Sequence, residues 1–271
     1  MKGVRVANAP VSFGAFEAIG GLQVPAAEDV LAAIAAGAYE GTELGPPGYL
    51  GDAGSLPASL ARHGLALTGG YVPIAFTEPH RLDELDLVLD LFEGAGASTA
   101  RPVLADAGPR NGETDWRRLG DGVRRAAEHA RSRGFSPVFH HHVGTRIETP
   151  AEVERLLELS DVALLLDSGH LALAGGDPVS SLRDWRSRID YVHLKDVREE
   201  AAGWSLADVW RRGGFCELGA GVVDLDAFLH ELESSDYLGW VVVEQDALPG
   251  DLARARDSQA RNRSWLAERG I

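Results

Sequence analysis

Eight apolar, β-branched runs recur along this 271-residue chain with helix-like segments between them, and that alternation constrains the fold more than any other feature. The runs are GVRVANA (3 to 9), YEGTEL (39 to 44), LALTGGYV (65 to 72), TARPVLA (99 to 105), FSPVFHHH (135 to 142), DVALLLD (161 to 167), IDYVHLK (189 to 195) and GWVVVEQ (239 to 245). Segments such as AAEDVLAAIAAGA, LDELDLVLDLFEGAGA, TDWRRLGDGVRRAAEHARSRG and TPAEVERLLELS carry helical spacing. Thr149, Pro150 and Glu152 read as a helix start, and Gly134 after Arg131 and Arg133 as a helix end. Strand alternating with helix implies parallel strands, so eight units predict one α/β domain over residues 1–271, a single (β/α)8 barrel. An open nucleotide-binding sheet would need G-x-G-x-x-G after its first strand, and NAPVSFGAFEAIGG lacks that spacing.

The formal charge of -15 argues against a basic surface for nucleic acid or anionic lipid. No stretch approaches the apolar length of a membrane span, and MKGVRVANAPVSFG has no apolar segment behind its first charge. Cys216 is the lone cysteine, which fits a packing role and a cytoplasmic location. Neither nucleic acid nor membrane is an expected partner. A homo-oligomer is expected by analogy with barrels of this size.

Four runs end in residues that ligate metals or move protons: His140 and His142, Asp167 with His170 just beyond, His193 and Lys195, and Glu244. A strand sends alternate side chains to one face, so His140 and His142 share a side, as do His193 and Lys195. In a parallel barrel the functional residues gather where strands end. Asp167, His193 and Glu244 are therefore the leading metal ligands. His140 ranks first as a fourth, ahead of His142 and then Glu148, while His141 should face the helices. Imidazole with carboxylate favours Mn2+ or Co2+, with Zn2+, Fe2+ and Mg2+ behind them. His140, His142, Lys195 and Glu244 are the candidate catalytic residues. Glu43, His170, Asn8 and Tyr49 are candidate substrate contacts, with Ser12 beside them.

Each group has a plainer explanation. DSGH could be a strand end capping a helix, HLKD a surface ion pair with Lys195 and Asp196 exposed, and VVVEQD a strand emerging into solvent. A serine hydrolase lacks its G-x-S-x-G, and a retaining glycosidase has no need of clustered histidines. The long stretch AAGWSLADVWRRGGFCELGAGVVD, between the seventh and eighth runs, is a candidate lid.

At these residues the chain resembles the xylose-isomerase-like TIM-barrel superfamily of sugar phosphate isomerases and epimerases, endonuclease IV and hydroxypyruvate isomerase, and most of all its myo-inosose-2 dehydratases. The matching segments are NAPVSFG, GTELGPPGYLG, HHHVGTRIETPAEV, LLLDSGHLALAGGDP, YVHLKDV, LGAGVVDLDAFLHEL and YLGWVVVEQD, which span nearly the whole length. The resemblance implies a divalent metal held at Asp167, His193 and Glu244, and a keto-polyol or keto-sugar substrate deprotonated beside its carbonyl. One departure matters: the epimerases and isomerases usually end the fifth strand in glutamate, where this chain has His140, His141 and His142. That favours dehydration of an inosose over isomerisation or epimerisation of a sugar or keto-inositol. A lyase acting on an oxidised 3-keto glycoside would use the same proton abstraction. An apurinic-site endonuclease would need a basic groove and further ligands, and a non-catalytic sugar-binding barrel would need no metal.

Overall fold

A computed structural model describes residues 1, 3–16, 23–78, 82–108, 110, 113–248 and 250–271. Every expected strand is present: β1 (Arg5–Asn8), β2 (Gly41–Glu43), β3 (Ala66–Ile74), β4 (Arg101–Asp106), β5 (Val138–His140), β6 (Ala163–Asp167), β7 (Ile189–Leu194) and, after a short ribbon of β8 (Asp196–Val197) and β9 (Phe215–Cys216), β10 (Trp240–Val243). The eight long-range strands pair in parallel and close into a barrel in the order β1-β10-β7-β6-β5-β4-β3-β2. The fold is a (β/α)8 barrel.

Around it run α1 (Ala27–Ala36), α2 (Leu56–His63), α3 (Asp83–Gly94), α4 (Trp116–Ser132), α5 (Pro150–Leu159), α6 (Ser168–Leu173), α7 (Pro178–Trp185), α8 (Leu206–Arg212), α9 (Leu225–Ser234) and α10 (Leu252–Ala267). The helix-start reading at Thr149 holds, because Glu152 Oε2 accepts the Thr149 backbone N–H at 2.9 Å. Among the described residues no helix is long and apolar enough to cross a membrane.

Strand alternation sorts the apolar residues into two layers. Val6, Leu104, Phe139, Leu164, Leu166, Val192, Val241 and Val243 join the layer between barrel and helices. Ala7, Val103, Val138, Leu165, Tyr191 and Val242 form a separate cluster that fills the barrel. Two residues further along, in the same parity, come His140 after Val138, Asp167 after Leu165, His193 after Tyr191 and Glu244 after Val242. The packed interior is thus a floor, and the chemistry stands one step above it.

The stretch expected as a lid is tied down. Asp196, fully buried, accepts backbone N–H groups from Val197, Gly219, Gly221 and Val223 at 2.8 to 3.1 Å. The β8–β9 ribbon places Phe215 against the site, its ring 5.3 Å from the His170 ring and 5.0 Å from Lys195 Nζ. Cys216 is buried beside it, and burial pushes its thiol up to about 12, which fits packing and not nucleophilic work.

Candidate metal and proton-transfer site

At the carboxyl ends of β2, β5, β6, β7 and β10 the side chains converge. His193 stands at the centre: its Nε2 lies 3.0 Å from Glu43 Oε1, and its Nδ1 lies 3.0 Å from Glu244 Oε2 and 3.6 Å from Asp167 Oδ2. His140 Nε2 approaches the same Asp167 oxygen at 3.9 Å. Lys195 Nζ lies 3.3 Å from Asp167 Oδ2 and 2.8 Å from both Glu244 Oε2 and Asp246 Oδ1. All of these residues are buried. Lys195 and Asp196 are therefore not a surface pair.

Local structure explains the approach. Glu43 reaches inward because its β3 partner is Gly69: a Cβ there would sit 3.1 Å from Glu43 Oε1 and 3.0 Å from the Tyr191 hydroxyl. Below them Tyr191 donates to Thr68 Oγ1 at 2.8 Å. Asp167 caps α6, its Oδ1 accepting the His170 N–H at 2.8 Å, which leaves Oδ2 for the cluster. Its own N–H goes to His141 Nε2 at 3.2 Å, so the middle histidine of the triplet, turned away from the barrel mouth, props the strand beside it.

Charge dominates the site. Burial alone would raise Asp167 and Glu244, but Lys195 and His193 hold both carboxyls below the usual range. Burial would lower His193 and Lys195, yet Glu244 and Glu43 raise the first, and Asp167, Asp246 and Glu244 raise the second. Asp246 is pushed up by burial and by Glu244 against the pull of Lys195. His140, His141 and His170 are lowered, chiefly by burial, and are neutral imidazoles at neutral pH.

Residues at this mouth fit a divalent cation. Four carboxylates, from Glu43, Asp167, Glu244 and Asp246, face one lysine and one chargeable central histidine, an arrangement costly to bury without further positive charge. Asp167 Oδ2, fully buried, has no hydrogen-bond partner among the described residues. Donor atoms of His140, Asp167 and His193, and again those of Glu43, His193 and Glu244, lie within 4.8 Å of one another.

Several expected positions lie elsewhere. Asn8 is not at the mouth: β1 points Ala7 inward and Asn8 outward, where its Nδ2 donates to Gln259 Oε1 of α10 at 2.8 Å. Tyr49 is not a member of the cluster; its hydroxyl donates to the Pro25 carbonyl at 2.8 Å. Glu148 is engaged outside the cluster, by the Gly144 N–H at 2.6 Å and Arg110 at 3.1 Å. Ser12 Oγ accepts the Gln245 N–H at 3.1 Å, fastening the segment that carries Glu244 and Asp246. His142 is where its parity puts it, its ring 5.3 Å from that of His140 and 3.8 Å from that of His170. His170 Nε2 lies 3.2 Å from Lys195 Nζ.

Three residues escaped the sequence reading. Asp246 stands two positions past Glu244, in the same parity, and that spacing was its only signal. Asp106, at the end of β4, grips Arg146 through Nε at 2.8 Å and Nη2 at 2.6 Å. No spacing in the sequence links those two.

The arrangement defines a (β/α)8 barrel with a buried carboxylate–imidazole cluster at the carboxyl ends of its strands. The chain belongs to the xylose isomerase-like TIM barrel family, whose model matches residues 31–269. It is similar to an inosose dehydratase of Lacticaseibacillus casei, 31% identical over 239 residues that cover 78% of this chain and 79% of that one. It is 36% identical over 166 residues to inosose dehydratase 2 of Bacillus cereus, covering 58% of this chain and 55% of the relative. The chain thus spans about half the length of the first curated relatives it matches. Among solved structures, the IolI protein with a bound zinc atom superposes with a TM-score of 0.74 at 16% identity, over 97% of each chain.

Proposed function

We propose that this protein is a divalent-metal-dependent lyase that dehydrates a keto-polyol of the inosose type. The observation that carries the reading is the convergence of Asp167, His193 and Glu244 with His140, at a mouth where β5 ends in histidine. The dehydratase relatives point the same way. Asp167, His193 and Glu244, completed by His140, hold the cation, with Mn2+ or Co2+ preferred for a mixed imidazole and carboxylate set. When bound, the metal supplies Lewis acidity toward the carbonyl oxygen.

Chain residues account for the proton movements. His142 Nδ1 lies 2.8 Å from the Val143 carbonyl, which can only accept, so Nδ1 carries the proton and Nε2 presents a lone pair. That lone pair takes the proton α to the substrate carbonyl, and the C–H electrons move onto the carbonyl oxygen. The Lys195 ammonium stabilises that oxygen. The oxygen electrons then return to re-form the carbonyl, the Cα=Cβ bond forms, and the β C–O bond breaks as the His142 imidazolium gives its proton to the departing hydroxyl. Water leaves, and the enol product tautomerises to a diketone. His140 Nε2, 3.9 Å from Asp167 Oδ2, is placed for ligation, and burial lowers it as it lowers His142.

A second reading has its own support. Glu43 and Glu244 face each other across the two nitrogens of His193, and two opposed carboxylates suit reprotonation on the other face of an enediolate, hence isomerisation or epimerisation. Mass spectrometry of keto-inositols and keto-sugars incubated with Mn2+-loaded protein in heavy water separates the two. Loss of one water from an inosose supports dehydration. Deuterium incorporation at unchanged formula would replace it with the second reading, and release of an aglycone from a 3-keto glycoside would mean the related lyase.

A further inference from the structure

We infer that His140, His142 and His170 form a second cation site, beside the carboxylate-rich one, that takes Zn2+. One ring nitrogen from each of these three histidines lies within 4.8 Å of the others. The His140 ring lies edge-on to those of His142 and His170, at 5.3 and 5.5 Å, the spacing of imidazoles around a common point, while the His142 and His170 rings, 3.8 Å apart and tilted by 37°, lie partly face to face and turn apart when an ion enters. His140 and His170 are almost wholly buried, and each has an Nδ1 with no hydrogen-bond partner among the described residues. His142 has its Nδ1 engaged with the Val143 carbonyl, so its Nε2 is the free donor. Three neutral imidazoles are the donor set that zinc accepts with one further position open. The Asp246 carboxylate, 3.7 Å from His170 Nε2, supplies negative charge next to them.

Two features make this site separate from the first. Glu43, His193 and Glu244 form a donor group that does not include His140, and Asp167 Oδ2 lies 3.6 Å from His193 Nδ1, so the first cation keeps carboxylate and imidazole donors when His140 turns to the second. The two sets also differ in kind: three carboxylates with one imidazole suit Mn2+ or Mg2+, whereas three imidazoles suit Zn2+. Lys195 Nζ touches His170 Nε2, so the second cation displaces that contact and leaves Lys195 to Glu244 and Asp167. Filling the site also withdraws the His142 lone pair. On the reaction proposed above, excess Zn2+ is then an inhibitor, whereas the binding itself does not depend on that reaction.

The test is a Zn2+ titration of the chelator-stripped protein read by native mass spectrometry, with circular dichroism to establish that each variant is folded. Wild type should take up two ions, His142→Ala and His170→Gln one each. Glu244→Gln should keep the tri-histidine ion while its other site weakens at least tenfold. Co2+ substitution gives a readout that needs no variant: the doubly loaded wild-type protein should show the intense visible bands of a four-coordinate imidazole site, and the singly loaded Mn2+-competed protein should retain them. Saturation at one ion in wild type, two ions in folded His142→Ala, or a Co2+ spectrum with only weak six-coordinate bands would each overturn the site.

Discussion

The Lys195 ammonium lies 2.8 Å from an Asp246 oxygen and, through the same nitrogen, holds Glu244 and Asp167, so one buried cation balances three carboxylates from β6 and β10. Lys195→Met would leave those carboxylates facing one another without their counter-charge. Breaking a buried pair from one side costs roughly 3–5 kcal/mol, and the metal-free variant should unfold at correspondingly lower urea. Mn2+ should restore a large part of the loss, because the ion replaces the missing charge. A variant with equal losses in the presence and absence of Mn2+ would mean the metal does not sit among these carboxylates.

Stability should fall on acidification between neutrality and pH 4, and His141 should be a principal cause. Burial lowers its folded pKa to about 4, below the ordinary value of 6.5, and its Nε2 must stay unprotonated to accept the Asp167 N–H. The unfolded chain therefore binds the proton first. Stability is complete above about pH 6.5 and is lost toward pH 4, by up to about 3 kcal/mol for this group. His140 and His170 act in the same direction. His193 is raised, so its contribution is fully present below 6.5 and is lost only above its folded pKa, outside this window. Urea unfolding of wild type and His141→Gln across pH 7 to 4 checks the sign, and the variant should show the shallower decline.

Strand parity decided what could be read from the sequence. Where a run ended in a polar residue two positions after an apolar or aromatic one, as at Asp167, His193 and Glu244, the inward face was marked by the sequence itself. In β1, the residues Ala7 and Asn8 are both small enough to stand on either face, and only the fully closed barrel turns Asn8 toward Gln259. Tyr49 follows a stiff Gly-Pro-Pro-Gly turn whose direction no periodicity reports, and its hydroxyl is drawn to Pro25. Asp106 and Arg146 are forty positions apart and meet because β4 and β5 are neighbours. The ribbon of β8 and β9 was legible only as an insertion, since its fastening depends on one carboxylate, Asp196, reaching three backbone groups more than twenty positions along the chain.

Arg146 is a positioning residue for His142. The turn from 142 to 147 is closed by the His142 N–H on the Ile147 carbonyl at 3.0 Å and by the Thr145 hydroxyl on the His142 carbonyl at 2.8 Å, and the Asp106 carboxylate clamps it from β4 through Arg146. Arg146→Lys keeps the charge and loses the two-pronged geometry. Turnover should fall about tenfold for a misplacement of this kind, with little change in Mn2+ affinity, because no first-site donor lies in the turn. Asp106→Asn should behave alike. Equal losses in turnover and metal affinity would mean the pair supports the whole mouth and not His142.

Gly69 offers the sharpest test of Glu43. Its backbone is ordinary strand, so alanine is allowed by conformation, but the added methyl would lie 3.1 Å from Glu43 Oε1, 3.0 Å from the Tyr191 hydroxyl and 3.2 Å from the Arg101 carbonyl. The Arg101 carbonyl is backbone in a paired strand and gives little, so the carboxylate moves. Overpacking of this size costs roughly 1–3 kcal/mol, which a barrel with so continuous a core should survive. If Glu43 helps hold the cation, Gly69→Ala should weaken Mn2+ binding about tenfold, an effect that isothermal titration of the metal-free protein measures directly. Glu43→Gln should weaken it at least as much. Unchanged Mn2+ affinity in a folded Gly69→Ala protein would move Glu43 out of the metal shell and leave it as the partner that orients His193 from its far nitrogen.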